Sequence, residues 1–237
     1  TNSSVDITKG KLSFGGEFIN NITNLFNSVD VMAGVIMSLN VAFLGTILTL
    51  VVCSMAGYGF EIFKTKTSEK VMGLVMLSMM MPFAAIMVPL FKLFSGMGLL
   101  DTSLALILPG VSTAFLIYFF RQNTKAFPRE ILEAARVDGV GEYGSFFKIY
   151  LPTMKSTYAA AAIITFMNYW NSFLWPLISI QTPSKRTLPL VISSLATAYS
   201  PDYGMIMVSI IITTLPSALI FFLMQKNFVE GIVGSVK

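Results

Sequence analysis

The chain has 237 residues, 54% of them hydrophobic and only 12% charged, with a net charge of +4 and no histidine. Soluble domains carry about 25% charged residues, so this low charge, set between long apolar runs, excludes an ordinary soluble domain and predicts an all-α polytopic membrane protein. The single cysteine, Cys53, excludes an intramolecular disulfide and a cysteine-cluster metal site, and the lack of His removes the commonest metal ligand and proton shuttle. The basic residues lie in the connections rather than on one surface, which argues against a nucleic-acid partner.

In chain order, residues 1–30 are polar and mixed, with no basic region followed by an apolar run, so they do not read as a secretory signal. The chain opens on Thr1, and a segment upstream of it is expected. Five apolar segments then predict membrane helices, at 31–60, 71–94, 104–120, 157–180 and 203–224. A span needs about 20 residues at about 1.5 Å each. The third is short, so its ends are expected to take in Ser103 or Arg121; the first is long enough to tilt or to include an interfacial turn. Pro82, Pro89, Pro109 and Pro216 fall in or near these helices. Each removes an amide donor and crowds the preceding turn, which fits both ordinary bending and a kinked pathway lining.

Loop charges predict the orientation. With the N-terminal end outside, inner connections and the C-terminal tail hold eleven of the 16 Lys and Arg residues, and the outer parts hold Lys9, Lys11, Lys92, Lys185 and Arg186. Five spans join an outer N-terminal end to an inner C-terminus, which places the connection between the third and fourth spans in the cytoplasm.

That connection, 128–152, is the longest strongly charged stretch of the chain. Pro128 suits the first turn of a helix, Glu130 and Glu133 favour its dipole, and Ile131, Leu132, Ala134, Ala135 and Arg136 continue a helical pattern. Gly139 is placed to end that helix in a left-handed conformation. A second short helix is predicted over 142–149, before Pro152 restricts its predecessor. Ala134 and Ala135 admit close approach of another surface, and Glu133, Arg136 and Asp138 can make charge-assisted contacts at its rim. Phe146, Phe147 and Tyr150 can anchor against a partner or against the ends of the spans. On these grounds alone the segment reads equally as a docking element and as a solvated hairpin.

The spacing in this segment is specific. Glu133-Ala134-Ala135 is followed by three residues, Gly139, nine residues and Ile149-Tyr150-Leu151-Pro152. It resembles the EAA signature of bacterial ABC importer permeases, with every fixed position present. Further likeness to the carbohydrate branch runs through Asn40-Val41-Ala42 with Thr46 and Leu50, Ala56-Gly57-Tyr58-Gly59-Phe60, residues Trp170 to Leu177, Thr187-Leu188-Pro189-Leu190, and the ending from Lys226. The general likeness is to the MalG-type subunit of maltose and oligosaccharide importers. The resemblance implies an ABC importer permease core with five visible transmembrane helices and a cytoplasmic coupling helix. It divides the chain into an external segment 1–30, a permease domain 31–226 containing the coupling loop 128–152, and a cytoplasmic tail 227–237. That subunit usually has six spans with a cytoplasmic N-terminus, so a first span is expected upstream of residue 1.

The resemblance also implies an ATPase-coupling role for Glu133, Ala134, Ala135, Arg136, Asp138 and Gly139. The implied partners are a related MalF-type permease, two cytoplasmic ATPase subunits, an extracellular sugar-binding protein, membrane lipid and the sugar itself. The sequence has no G-x-x-x-x-G-K-[ST] phosphate loop, so this chain is expected to bind no cofactor and to leave ATP and Mg to the ATPases. It reads as a non-catalytic subunit of the bacterial cell membrane.

Asn168, Tyr169, Asn171 and Ser172, with Trp170 and Trp175, form a polar-aromatic cluster in the fourth predicted span. Asn and Ser exchange hydrogen bonds with hydroxyls, and polar groups in hydrocarbon usually face a cavity or another helix. Trp and Tyr also populate membrane boundaries. Sugar contact, interfacial anchoring and helix packing therefore all remain open. Lys185 and Arg186, in the external connection, suit a substrate rim, a binding-protein contact or a solvated loop; residues 182–198 are the interface candidate. Two other classes compete with the importer. A passive channel or scaffold would move solute without ATP. An intramembrane enzyme would need a nucleophile and base or a metal cluster.

Overall fold

A computed structural model of the chain describes residues 1–11, 15–199 and 201–233; the side chains at 224 and 226–233 lie outside that description. All regular elements among the described residues are helical. They are α1 (Ser4–Thr8), α2 (Phe18–Ser28), α3 (Val31–Ile62), α4 (Lys66–Ser78), α5 (Phe83–Gly96), α6 (Ser103–Ile107), α7 (Ala114–Thr124), α8 (Arg129–Val137), α9 (Glu142–Gly144), α10 (Leu151–Thr153), α11 (Lys155–Trp170), α12 (Leu174–Ser179), α13 (Leu188–Ala196) and α14 (Tyr203–Val233). Short 3-10 turns occupy Leu108–Gly110 and Pro183–Lys185. A π-helical stretch, Ser145–Tyr150, joins α9 to α10.

Among the described residues two helices are long and apolar enough to cross a membrane, Val31–Ile62 and the Tyr203–Leu223 part of α14, with mean hydropathies of 2.3 and 2.4. Two bent pairs raise the number to four: α4 with α5, bent by 101°, and Ser103–Gly110 with α7, bent by 46°. The fourth predicted span, 157–180, is divided into α11 and α12 by a break at 171–173. Proline explains where these segments part. A continuous helix would drive the Pro82 ring against the carbonyl of Ser78, and α4 ends at Ser78. Pro109 sits in the 3-10 turn that follows α6. Pro176 would crowd the carbonyl of Ser172, and the chain restarts as α12 with that proline in its first turn. Pro89 and Pro216 remain inside α5 and α14.

The chain forms two compact units, Thr1–Phe43 with Pro89–Ile107 and Met167–Phe222, and Leu44–Val88 with Leu108–Phe166 and Leu223–Lys237. In the first unit the N-terminal segment, read from sequence only as a polar stretch, contains the amphipathic helix α2. It buries Asn21 and Leu25 while exposing Phe18, Ile19 and Phe26. Asn21 donates to Thr1 Oγ1 at 2.8 Å and to the Asn2 carbonyl at 3.0 Å. The connection between α12 and α14 likewise contains a helix, α13, whose Leu188, Leu190, Val191 and Leu195 are buried. The Leu188 amide donates to Ser38 Oγ of α3 at 2.8 Å. Leu188 and Leu190 therefore pack within the unit.

In the second unit, α3 turns Leu44, Ile47, Leu48, Val51 and Val52 outward and buries Thr46, Thr49 and Ser54. That distribution suits hydrocarbon outside and polar or small residues between helices. Thr49 Oγ1 donates to the Gly110 carbonyl at 3.1 Å. Gly57 sets the closest approach: a Cβ there would lie 2.7 Å from Phe120 Cβ and 2.8 Å from the Arg121 amide nitrogen and the Ile117 carbonyl oxygen. The backbones of α3 and α7 can meet only over a residue without a side chain.

Candidate functional site

The polar insert is organised from its first residue. Pro128 is the N-cap of α8, one position earlier than the first-turn place expected for it. The helix buries Leu132 and Ala135 and leaves Glu133, Ala134, Arg136, Val137 and Asp138 exposed. Of the two motif alanines, Ala134 is on the outer face and Ala135 is turned inward. Gly139 has φ 77°, and the Val140 amide donates to the Ala135 carbonyl at 2.9 Å while the Gly139 amide donates to Arg136 at 3.1 Å. This Schellman closure requires the left-handed residue that glycine accepts without strain. Across the turn, Arg136 Nε donates to Glu142 Oε1 at 2.8 Å. That bond, and the nearby carboxylate charge, hold the Arg136 guanidinium above its ordinary pKa.

After Gly139 the chain departs from the predicted second helix. A single turn, α9, widens into the π-helical stretch, and Leu151 stays right-handed at φ −57°, ψ −46° although Pro152 follows it. The wider winding brings two rings inward. Phe146 and Tyr150 are buried with Tyr58, Phe127 and Leu132. Tyr58 of α3 lies edge-on to Tyr150 and Phe146, at 4.8 and 5.3 Å between ring centroids. The Tyr150 hydroxyl is 2.6 Å from Thr124 Oγ1, and burial pushes its pKa above the ordinary phenol range. Phe147 is exposed. The insert is thus gripped by its own unit through Phe146 and Tyr150, and Glu133, Ala134, Arg136 and Asp138 are left on the outside.

Beside the start of α8 lies a charge cluster that the sequence reading passed over. Glu61, in the last turn of α3, and Arg121, in the last turn of α7, are each 6% exposed. Arg121 Nε donates to Glu61 Oε2 at 3.3 Å, and Arg121 also pairs with Glu69 of α4. Arg129 Nη2 reaches Glu61 Oε1 at 3.4 Å, and Lys64 reaches Glu69 at 3.8 Å. A carboxylate at the end of a long apolar run was the available signal; its partners are too distant in sequence for spacing to name them.

The second predicted cluster is arranged differently. Trp170 Nε1 donates to the Thr213 carbonyl at 3.0 Å, Trp175 Nε1 to the Ala105 carbonyl at 2.7 Å, and Tyr169 Oη to the Ile107 carbonyl at 2.9 Å. Both tryptophans are buried, and Trp175 packs edge-on to Phe94 at 5.6 Å. Asn168 and Asn171 are exposed, Ser172 is half-buried, and Asn171 Nδ2 donates to the Met167 carbonyl at 2.9 Å. The aromatic rings hold helices together, and the amide side chains remain at the surface of the unit.

Between α5 and α6, Asp101 gathers several donors from the segment at 181–185. Its Oδ1 accepts from the Gln181 and Thr182 amides at 3.0 Å each, and its Oδ2 accepts from Thr182 Oγ1 at 2.7 Å and Lys185 Nζ at 3.0 Å. These hydrogen bonds, those from Thr182 foremost, hold the carboxyl well below the usual carboxylate range. Lys185 is thereby engaged, while Arg186 lines a cavity of about 370 Å³ with Asp30, Ser28, Ser184, Val191 and Ser194. The tail at 227–237 has its side chains outside the described residues.

Apolar helices of membrane length, polar atoms turned inward and one anchored polar insert define a multi-pass membrane protein with a helical surface element. Residues 55–233 match the family described as "Binding-protein-dependent transport system inner membrane component", and the chain belongs to that family. It is a permease subunit of a transport system, in a family of non-catalytic transport permeases. The chain is 51% identical over 237 residues to the lactose transport system permease protein LacG of Rhizobium radiobacter, covering all of this chain and 87% of the relative. It is 38% identical over 236 residues to the arabinooligosaccharides transport system permease protein AraQ of Bacillus subtilis (strain 168), covering 99% and 82%. A crystal structure of a bacterial ABC transporter involved in the import of the acidic polysaccharide alginate contains a chain of the same fold. The TM-score is 0.82 at 17% identity, over 96% of this chain and 86% of that one.

Proposed function

We propose that this chain is the MalG-type permease subunit of an ATP-driven importer for a disaccharide or oligosaccharide. The observation that carries the reading is the anchored insert: a helix that keeps Glu133, Ala134, Arg136, Asp138 and the Gly139 turn outward, in a chain belonging to the binding-protein-dependent permease family. Relatives named for lactose and arabinooligosaccharide transport support the substrate class. A binding protein delivers sugar to an outward-open pair of this chain and a related permease. Two ATPases bind ATP and close, α8 follows them, and access switches across the membrane. Hydrolysis resets the assembly.

The excess of basic residues in the connections assigned to the inside supports an outer N-terminal end, a cytoplasmic C-terminus and five spans in residues 31–226. The fourth span is then a broken one, α11 with α12. In this reading Glu133 pairs with a basic group of the ATPase, and Asn168, Tyr169, Asn171 and Ser172 line the sugar pathway. The bacterial cell membrane is its place, with 1–30 external and 227–237 cytoplasmic.

The test is uptake by the reconstituted assembly, with and without ATP and binding protein, across lactose, maltotriose and arabinotriose. Uptake of at least one sugar that needs both is the expected result. Uptake independent of both would replace the importer with a passive channel. An activity of the purified chain indifferent to ATPase removal would replace it with an enzyme.

A further inference from the structure

We propose that the buried pair Glu61–Arg121, with the exposed Arg129, forms an electrostatic relay that carries movement of α8 into α3, α7 and α4. The proposal rests on α8 being the ATPase-docking helix, and it assigns positioning roles to residues outside the docking motif.

The construction begins at Gly57. Its missing side chain lets α7 approach α3 at Ile117, Phe120 and Arg121. One helical turn after Gly57, on the same face of α3, comes Glu61. The close approach therefore sets Arg121 directly against Glu61, with both side chains only 7% exposed. Glu61 divides its carboxylate between two helices. Oε2 accepts from Arg121 of α7 at 3.3 Å, and Oε1 accepts from Arg129, the first residue of α8, at 3.4 Å. Arg129 Nη2 also lies 3.4 Å from the Glu61 carbonyl. Arg121 in turn divides its guanidinium between Glu61 and Glu69 in the first turn of α4.

Two features separate this cluster from a surface ion pair. The Glu61–Arg121 pair is screened little because water is excluded around it, and neither partner can leave without stranding the other's charge in the unit. The helix ends also fit the charges: Arg121 in a last turn and Glu69 in a first turn each complement the helix dipole. The second grip on the insert, Tyr58 against Phe146 and Tyr150, engages the returning limb after Gly139. Arg129 is the ionic attachment at the entering end of α8. The insert is consequently held to α3 at both limbs, and a displacement of α8 draws on Glu61.

The relay is tested in proteoliposomes containing the whole assembly: this chain, its partner permease, the ATPases and the binding protein. Uptake of lactose, maltotriose and arabinotriose is measured per ATP hydrolysed. Arg129→Gln removes the exposed end of the relay. The expected result is normal co-purification with the ATPases, retained ATP hydrolysis, and uptake per ATP lowered about fivefold or more, with Arg129→Lys restoring most of it. Combining Arg129→Gln with Glu61→Gln is expected to be no worse than Glu61→Gln alone, because Glu61→Gln already breaks the link to Arg129. Should Glu61→Gln fail to accumulate, the comparison of Arg129→Gln with Arg129→Lys decides.

An unchanged uptake-to-hydrolysis ratio in Arg129→Gln overturns the relay while leaving the docking reading intact. Loss of ATPase co-purification in Arg129→Gln makes Arg129 a docking contact and also overturns it, as does a double variant whose losses multiply. The docking reading itself fails separately, if Glu133→Arg leaves co-purification and uptake unchanged.

Discussion

In the insert at 128–152 the aromatic rings of Phe146 and Tyr150 are buried, while Glu133, Ala134, Arg136 and Asp138 face outward. In the segment at 168–177 the indole and phenol donors of Trp170, Trp175 and Tyr169 are taken up by backbone carbonyls of their own unit, leaving Asn168 and Asn171 exposed. Both segments looked functional because both concentrate polar and aromatic residues in apolar sequence. Their rings do the same structural work, fastening an interrupted or polar piece of chain to neighbouring helices. What separates them is the charged group left over. The insert presents a patterned ionic face, and the other segment presents two neutral amides.

The largest effect expected from this contrast is at Glu133. Glu133→Arg should abolish ATPase co-purification and lower ATP-driven uptake by about tenfold or more, since reversing an interfacial charge costs several kcal/mol. Unchanged pull-down and uptake would reduce the insert to a solvated hairpin. Next comes the turn. At Gly139 an added Cβ meets nothing within 4 Å, so the penalty is conformational alone: about 1–2 kcal/mol for Ala, and more for Val because of β-branching. Uptake should fall in the order Gly, Ala, Val, and equal uptake by the two variants would remove the requirement for positive φ.

In the other segment the expected loss is of stability. Trp175→Phe leaves the Ala105 carbonyl without its donor and should cost about 1–3 kcal/mol, read as a lower unfolding midpoint of the purified chain with uptake per folded molecule unchanged. A selective rise in KM would instead bring Trp175 into the sugar pathway. Asn168→Ala and Asn171→Ala should each raise the KM for sugar by about five- to tenfold, roughly one hydrogen bond, with assembly retained. An unaltered sugar dependence in both would leave the segment a packing element.

The smallest effect is at Asp101. Its carboxyl ionises below the ordinary range in the folded chain, so its contribution is complete above the unfolded carboxylate pKa, about 3.9. It is lost only as pH falls through the lower folded value. Between pH 5 and 8 the melting difference between wild type and Asp101→Asn should be constant, narrowing only under stronger acid. A difference that changes near neutrality would mean that another group controls the clamp.

Much of this was legible along the chain. Leu, Ile, Val and Phe in 31–60 and 203–224 mark two membrane-length helices, because hydrocarbon burial depends on local composition. Gly139 was legible because a left-handed helix cap is set by four or five consecutive residues. The EAA spacing was legible for the same reason. The helices α2 and α13 were not, since the polar face of α2 and the shortness of α13 disguised segments whose buried positions, Leu25 and Leu188, acquire partners only on folding. Nor was the division of 157–180: Pro176 announced an interruption, but the carbonyls that accept from Trp170 and Trp175 belong to other helices.

The sequence by itself determined the class of protein, the placement of the polar insert and the turn at its tip, because each follows from composition or from contacts a few residues apart. Tertiary structure decided which face of α8 is outward, which aromatic residues are consumed in packing, and that Glu61 meets both Arg121 and Arg129. The meeting of Glu61 with Arg121 rests on the close approach of α3 and α7 at Gly57. A buried charge chooses its partner by that distance in space, to which separation along the chain is no guide.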